Sequence, residues 1–511
     1  MFRRIVGTLA VFAATAAVGW PFTNPLDVKL ADPSMIRVGD TYYLYGTASR
    51  PADANVGIPV WTSTDLVHWR DRGMVWRRDD QTWGQQWFWG PEVRRFGDRW
   101  LLFYGGFRKT DGRQQGRICV AAADSPLGPF KDVRAPLFDW PKDVIDAFPF
   151  TDADGSCYLY FTETANWHNS IFVVRLAADG LSIDGQPQQI LVPDQPWEVE
   201  PVNEGPFVWR HDGRYWAMFS VNNFNHKWYG MGLATADSPL GPWHKQTSGP
   251  VLRQSADLAG PGCAGLIDSP DGRELWCYYH VHLAADGYPR QLAISRARYE
   301  GGTLRIDPPR TAPQAAPSGS PEPTPPVSDR FAEFDATRWT VADEDAASWR
   351  VADGALTITA QDGDMWRDRV DYRNLFLQHA AAGDMTLSVT VKAPIAADHE
   401  QACLVAWQDD DNYVRLGTVW AGGPKLSAAI ELLGTYEERM LPNDLGETLT
   451  LRLTRRGDLW SFEARAPGGP WRAVGEPREA ALALPRPGLT AMSPGSLRRW
   501  EARFTDFLVA R

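Results

Sequence analysis

Across residues 30–299 short runs of β-branched and aromatic residues alternate with turns, and no stretch sustains the 3.6-residue apolar period of a helix. Tyr42-Tyr43-Leu44-Tyr45, Trp100-Leu101-Leu102-Phe103-Tyr104 and Cys157-Tyr158-Leu159-Tyr160-Phe161 are three such runs. Gly39-Asp40, Gly97-Asp98, Asp154-Gly155, Asp212-Gly213 and Asp271-Gly272 supply the tight turns that join antiparallel strands. The pattern predicts strands and hairpins only.

One phrase organises this region. Glu204-Gly205-Pro206-Phe207-Val208-Trp209-Arg210-His211-Asp212-Gly213-Arg214-Tyr215-Trp216 is a short apolar run, an Asp-Gly turn and an aromatic strand, and it recurs over residues 32–43, 90–100, 146–158 and 263–276. A second motif, Ala-Asp-Ser-Pro-Leu-Gly-Pro-aromatic, appears at residues 123–130 and again at 236–243. Stepping back eight residues from each turn aspartate reaches Asp32, Gly90, Asp146, Glu204 and Cys263, at spacings of 58, 56, 58 and 59. Repeats of this length, each holding about four short strands, predict an all-β fold: a five-bladed β-propeller around a central channel.

The texture changes after residue 299. Residues 307–329 are rich in Pro, Ser and Ala and read as an extended linker with little to bury. Strand-like runs then return without the five-fold phrase, as in Met385-Thr386-Leu387-Ser388-Val389-Thr390-Val391, and predict an antiparallel β-sandwich. The chain opens with Met1-Phe2-Arg3-Arg4 and an apolar, alanine-rich run to Val18, the form of a secretory signal and too short to span a bilayer comfortably. The expected order is a signal segment (1–19), a propeller (24–306), a linker (307–329) and a sandwich (330–511), in a secreted or periplasmic protein.

Charge and composition narrow the function. A net charge of −11 without a dense basic block excludes an electrostatic footprint for nucleic acid or an anionic membrane. The 24 tryptophans mostly fill core, but flat rings beside carboxylates also suit the apolar faces of sugars. Five cysteines make neither a disulfide framework nor a metal cluster; most read as small buried hydrophobes, and a Cys263–Cys277 pair is left open.

The first strand of each blade lines a propeller's axis, so residues at one phase of that strand converge. Asp32, Asp146 and Glu204 put three carboxylates among five such positions, where like charges in a low-dielectric setting raise at least one pKa. Singly each acid is as well explained by a turn; their common register points to one site.

Ala31-Asp32-Pro33-Ser34-Met35-Ile36, Trp89-Gly90-Pro91-Glu92-Val93, Ile145-Asp146-Ala147-Phe148-Pro149-Phe150 and Asn203-Glu204-Gly205-Pro206 together resemble glycoside hydrolase family 43, and the C-terminal region resembles the concanavalin-like sandwich that accompanies many members. The resemblance implies inverting hydrolysis with Asp32 as general base, Glu204 as general acid and Asp146 tuning that acid by like-charge repulsion. It also implies substrate contacts from Arg290, Trp89 and Phe148, for which core packing or a surface cation is the competing account. Members often carry an axial histidine, in some cases helping to hold calcium, where this chain has Cys263; a thiol suits a hard cation poorly, so no metal or other cofactor is expected. His280 and His282 share one face of a strand and read as packed or pocket-lining.

The expected partner is a plant-type polysaccharide or oligosaccharide. The favoured activity is exo-acting α-L-arabinofuranosidase or β-D-xylosidase. The alternatives are an endo-arabinanase, a galactan-cleaving relative or a non-catalytic carbohydrate-binding propeller. Oligomeric state is not legible in the sequence.

Overall fold

The computed structural model describes residues 20–49, 55–110, 112–166, 168–282, 290–323, 325–367, 369–496 and 498–510. The signal segment expected at residues 1–19 lies outside the described residues. Five four-stranded antiparallel sheets, each in simple consecutive order, make the blades. Their inner strands are Leu30–Val38, Gln86–Phe96, Asp143–Thr151, Asn203–His211 and Ala259–Asp268. Each inner strand hairpins into an almost fully buried second strand, for example Arg214–Val221, whose aromatic run packs between neighbouring blades.

Blade five meets blade one through both side chain and backbone. Tyr42 donates its hydroxyl to Asp268 O at 2.8 Å and Arg37 reaches Ser269 O at 3.1 Å. The segment before blade one adds Leu26 N to Leu292 O at 2.7 Å and Leu292 N to Val28 O at 3.0 Å, which ties the ring shut on the Arg290–Glu300 strand.

The linker expected to bury little is instead strapped to the propeller. Gln314–Ala315 pairs antiparallel with Pro21–Phe22, Ala316 is buried, and Ser318 bonds to Glu274 and Asp271. Proline-rich composition reports the lack of helix and sheet-interior potential; it carries no information on whether free backbone groups find partners.

The C-terminal region forms a sandwich of a seven-stranded and an eight-stranded sheet. Met385–Lys392 and Thr448–Arg456 alternate buried and half-exposed positions with a period of two, and Leu387, Val389, Leu451 and Leu453 pack with Trp460 and Phe504 between the sheets. It docks on the propeller beside the entrance to blade one: Lys29 lies 2.9 Å from Asp410, Arg486 lies 2.9 Å from Asp27, and His379 Nδ1 lies 3.1 Å from His68 Nε2.

Candidate active site

All five inner strands break register at one level. The breaks fall between Ala31 and Ser34, Trp89 and Glu92, Ile145 and Phe148, Glu204 and Phe207, and Gly262 and Gly265. The first bulged residue of each has a left-handed backbone: Asp32 (φ 49°), Gly90 (54°), Asp146 (53°), Gly205 (57°) and Cys263 (48°). Bulges re-aim side chains, and five at one level turn five positions toward the axis. Glycine adopts this conformation freely and aspartate tolerates it, whereas Cys263 holds it at a cost.

This ring corrects the phase expected for Glu204. The position equivalent to Asp32 and Asp146 in blade four is Gly205, and Glu204 precedes it. The slip comes from the hairpin tips. Val38 pairs with Thr41 and Phe96 with Arg99, which makes the aspartate the second tip residue, while His211 pairs with Arg214 and makes Asp212 the first. The axis also lacks room for a fourth side chain beside those of Asp32, Asp146 and Cys263: a Cβ on Gly90 would lie 2.7 Å from Asp146 Oδ1, and one on Gly205 would lie 3.1 Å from Cys263 Sγ.

Glu204 therefore turns into the crevice beside blade three, where it is 8% exposed. Asn169 donates to its Oε2 at 2.7 Å and Tyr229 to its Oε1 at 2.8 Å. Burial pushes its pKa up to about 7 against the downward pull of these two bonds. Asp146 Oδ2 accepts from Thr162 Oγ1 and from the backbone N–H of Gly205, both at 3.1 Å. Its carboxyl is held well above the ordinary range, first by burial and then by Glu204 and Asp32. Burial, more than the like charge expected from the sequence, is what raises both acids.

Asp32 is more open, and its Oδ1 lies 3.2 Å from Arg290 Nη1. The Asp32 backbone N–H donates to His280 Nδ1 at 3.1 Å. Tyr229, His280 and His282 form a cluster of nearly parallel rings, with the three centroids 5.8, 6.0 and 6.5 Å apart pairwise. The Arg290 guanidinium lies 5.1 Å over the Phe224 ring. Thus Asp32, Asp146, Glu204 and Arg290 converge.

Trp89, the residue before the blade-two bulge, is half-buried, stacked on Trp87 at 5.6 Å and packed against Phe107 at 4.8 Å. Phe148 is buried below the ring of bulges against Phe207 and the Arg94 guanidinium. Asn169, Tyr229 and Thr162 were not singled out from sequence, because each reaches its acid from another strand or loop and no local motif marks it.

All five cysteines are free, so Cys263 and Cys277 are not paired. Donor atoms of Asp32, Cys263 and His280 lie within 4.8 Å of one another. They do not fit a hard cation. Burial and the nearby acids push the Cys263 thiol well above its ordinary pKa, and His280 Nδ1 already accepts the Asp32 N–H.

A propeller whose axial mouth gathers two carboxyls of raised pKa and an arginine-paired aspartate has the equipment of a glycan-cleaving acid/base enzyme. Residues 22–304 match the family described as glycosyl hydrolases family 43, and the chain belongs to that family. It is an O-glycosidase. It is 28% identical over 268 residues to a β-D-galactofuranosidase of Aspergillus niger, covering 50% of this chain and 75% of that one. It is 26% identical over 303 residues to an extracellular exo-α-(1→5)-L-arabinofuranosidase of Streptomyces chartreusis, covering 55% and 91%. Among solved structures, a thermostable family-43 glycoside hydrolase is 36% identical, with a TM-score of 0.55, over 58% of this chain and 99% of that one. A xylan β-1,4-xylosidase of Bacillus halodurans, 18% identical with a TM-score of 0.60, covers 96% of this chain and shares the two-part fold.

Proposed function

We propose that the protein is an exported, exo-acting, inverting glycosidase that removes terminal α-L-arabinofuranosyl or β-D-xylosyl residues from plant-type polysaccharides or oligosaccharides. The observation that carries the roles is the contrast between acids: Glu204 is buried, doubly hydrogen-bonded and raised to about 7, whereas Asp32 is open and paired with Arg290. Glu204 keeps its proton near neutrality and gives it to the glycosidic oxygen. Asp32, oriented by Arg290 at 3.2 Å, takes a proton from the water that attacks the anomeric carbon on the opposite face. Asp146 shares the buried charge with Glu204 and, through the N–H of Gly205, fixes the turn that aims it. Trp89 is a wall for the apolar face of the sugar. The secretory reading rests on the basic and apolar N-terminus together with extracellular relatives.

The β-D-galactofuranosidase relative makes a third sugar worth assaying. A panel of α-L-arabinofuranosides, β-D-xylosides and β-D-galactofuranosides, with the first-formed anomer followed by NMR, tests enzyme class, sugar and stereochemistry together. The expected result is inversion on the first or second sugar. Retention, or binding without sugar release, overturns the proposal.

A further inference from the structure

Of the 24 tryptophans, two are exposed among the described residues, Trp228 and Trp366, each at 44%. Trp366 belongs to the sandwich. Trp228 belongs to the loop joining Arg214–Val221 to Gly230–Ala236 in blade four, and it immediately precedes Tyr229, the residue whose hydroxyl holds Glu204.

The indole is tethered in that exposed position. Its Nε1 donates to Glu200 Oε2 at 3.1 Å, and its carbonyl accepts from Asn222 Nδ2 at 3.1 Å. Glu200 is fixed in turn by the Asn223 N–H at 2.8 Å and by His226 Nδ1 at 2.7 Å, and the His226 ring lies 5.0 Å from the indole. Next to Glu200, Val199 is 68% exposed. With its N–H and its backbone carbonyl both hydrogen-bonded, the ring is held with its face in water, next in the chain to the tyrosine that holds the acid. Burying such a face against the apolar face of a ligand ring is favourable, which is reason for a ring to stack there.

The side of the site on which this surface lies decides what stacks. A general acid protonates the oxygen of the departing group, so the departing sugar sits on the acid's flank. We propose that Trp228, clamped by Glu200, is the stacking platform of the leaving-group subsite and receives the C–H face of the first sugar ring of the departing oligosaccharide. This rests on the acid role of Glu204.

The test compares matched pairs that differ only in the leaving group: α-(1→5)-arabinobiose against α-L-arabinofuranosyl fluoride, and xylobiose against β-D-xylosyl fluoride. Fluoride fills no sugar subsite and leaves without protonation. For Trp228→Ala, kcat/KM on the disaccharide is expected to fall about tenfold while turnover of the fluoride stays within about twofold, and Trp228→Phe is expected to recover most of the loss. Equal losses on both members of a pair, or no loss on the disaccharide, overturn the platform while leaving the acid assignment intact. Wild-type protein that cleaves none of the four substrates overturns the glycosidase roles and the platform with them.

Discussion

Tyr229 donates its phenolic hydrogen to Glu204 Oε1 at 2.8 Å, and it does so from a position that only a glycine opposite permits. A Cβ on Gly262 would lie 1.9 Å from Tyr229 Cε1. The hydrogen bond favours the ionised form of Glu204, so the tyrosine restrains a pKa that burial would otherwise carry higher.

Removing that hydroxyl therefore moves the acid in a defined direction. In Tyr229→Phe the pKa of Glu204 rises, the acid stays protonated to higher pH, and the basic limb of the kcat/KM profile shifts up by about one pH unit, the worth of a hydrogen bond to a charged group. Turnover at the optimum falls about tenfold because the carboxyl loses one of its two anchors. Gly262→Ala is expected to reproduce the shift by pushing the ring aside. Profiles of both variants on an unactivated glycoside check this, and a limb that stays put or moves to lower pH removes Tyr229 from the positioning role.

The same carboxyl gives stability a pH dependence. Glu204 titrates near 7 when folded against an ordinary value of 4.5, so the folded state binds the proton more tightly than the unfolded state. Its contribution is fully present below pH 4.5 and is lost as pH rises through 7, a loss on the order of 3 kcal/mol above pH 8. Glu204→Gln escapes that loss, and its amide keeps an oxygen for Asn169 and an N–H for Tyr229. Melting curves are expected to place the variant above wild type at pH 8 to 9, with the gap narrowing toward pH 5. A gap of constant size across this range contradicts the account.

The architecture was legible in the sequence because its signals are local. Strand, tip and aromatic return strand lie within about a dozen residues, and their recurrence near a 58-residue period counts the blades. The convergence of Asp32 and Asp146 followed from the same count. The exact seat of Glu204 did not, because Gly-Asp and Asp-Gly tips differ by one residue and a one-residue slip re-aims a strand side chain. Its partners were equally hidden: Asn169 stands 35 residues before it and Tyr229 25 after, joined to it only by blade packing. The strap at Gln314–Ala315 was missed for a related reason, since its partner strand lies almost three hundred residues away at Pro21–Phe22.

Coupling between propeller and sandwich centres on Lys29, three residues before Asp32. Its ammonium is buried, 2.9 Å from Asp410 Oδ2, 2.8 Å from Val370 O and 3.4 Å from Asp343 Oδ2, with the Tyr372 ring 4.2 Å away. Asp410 is 2% exposed, so removing the cation strands a buried carboxylate, a loss of about 3–5 kcal/mol. Lys29→Met is expected to lower stability by that order and to split calorimetric unfolding into separate propeller and sandwich transitions. Adding Asp410→Leu removes the stranded charge together with the Tyr372 hydroxyl's bond to Asp410 Oδ1, and is expected to recover part of the loss. Because Lys29 also pairs through its backbone with Gln291, the neighbour of Arg290, kcat/KM in Lys29→Met is expected to fall with stability. If unfolding and turnover both match wild type, the buried ion pair does not couple the two halves.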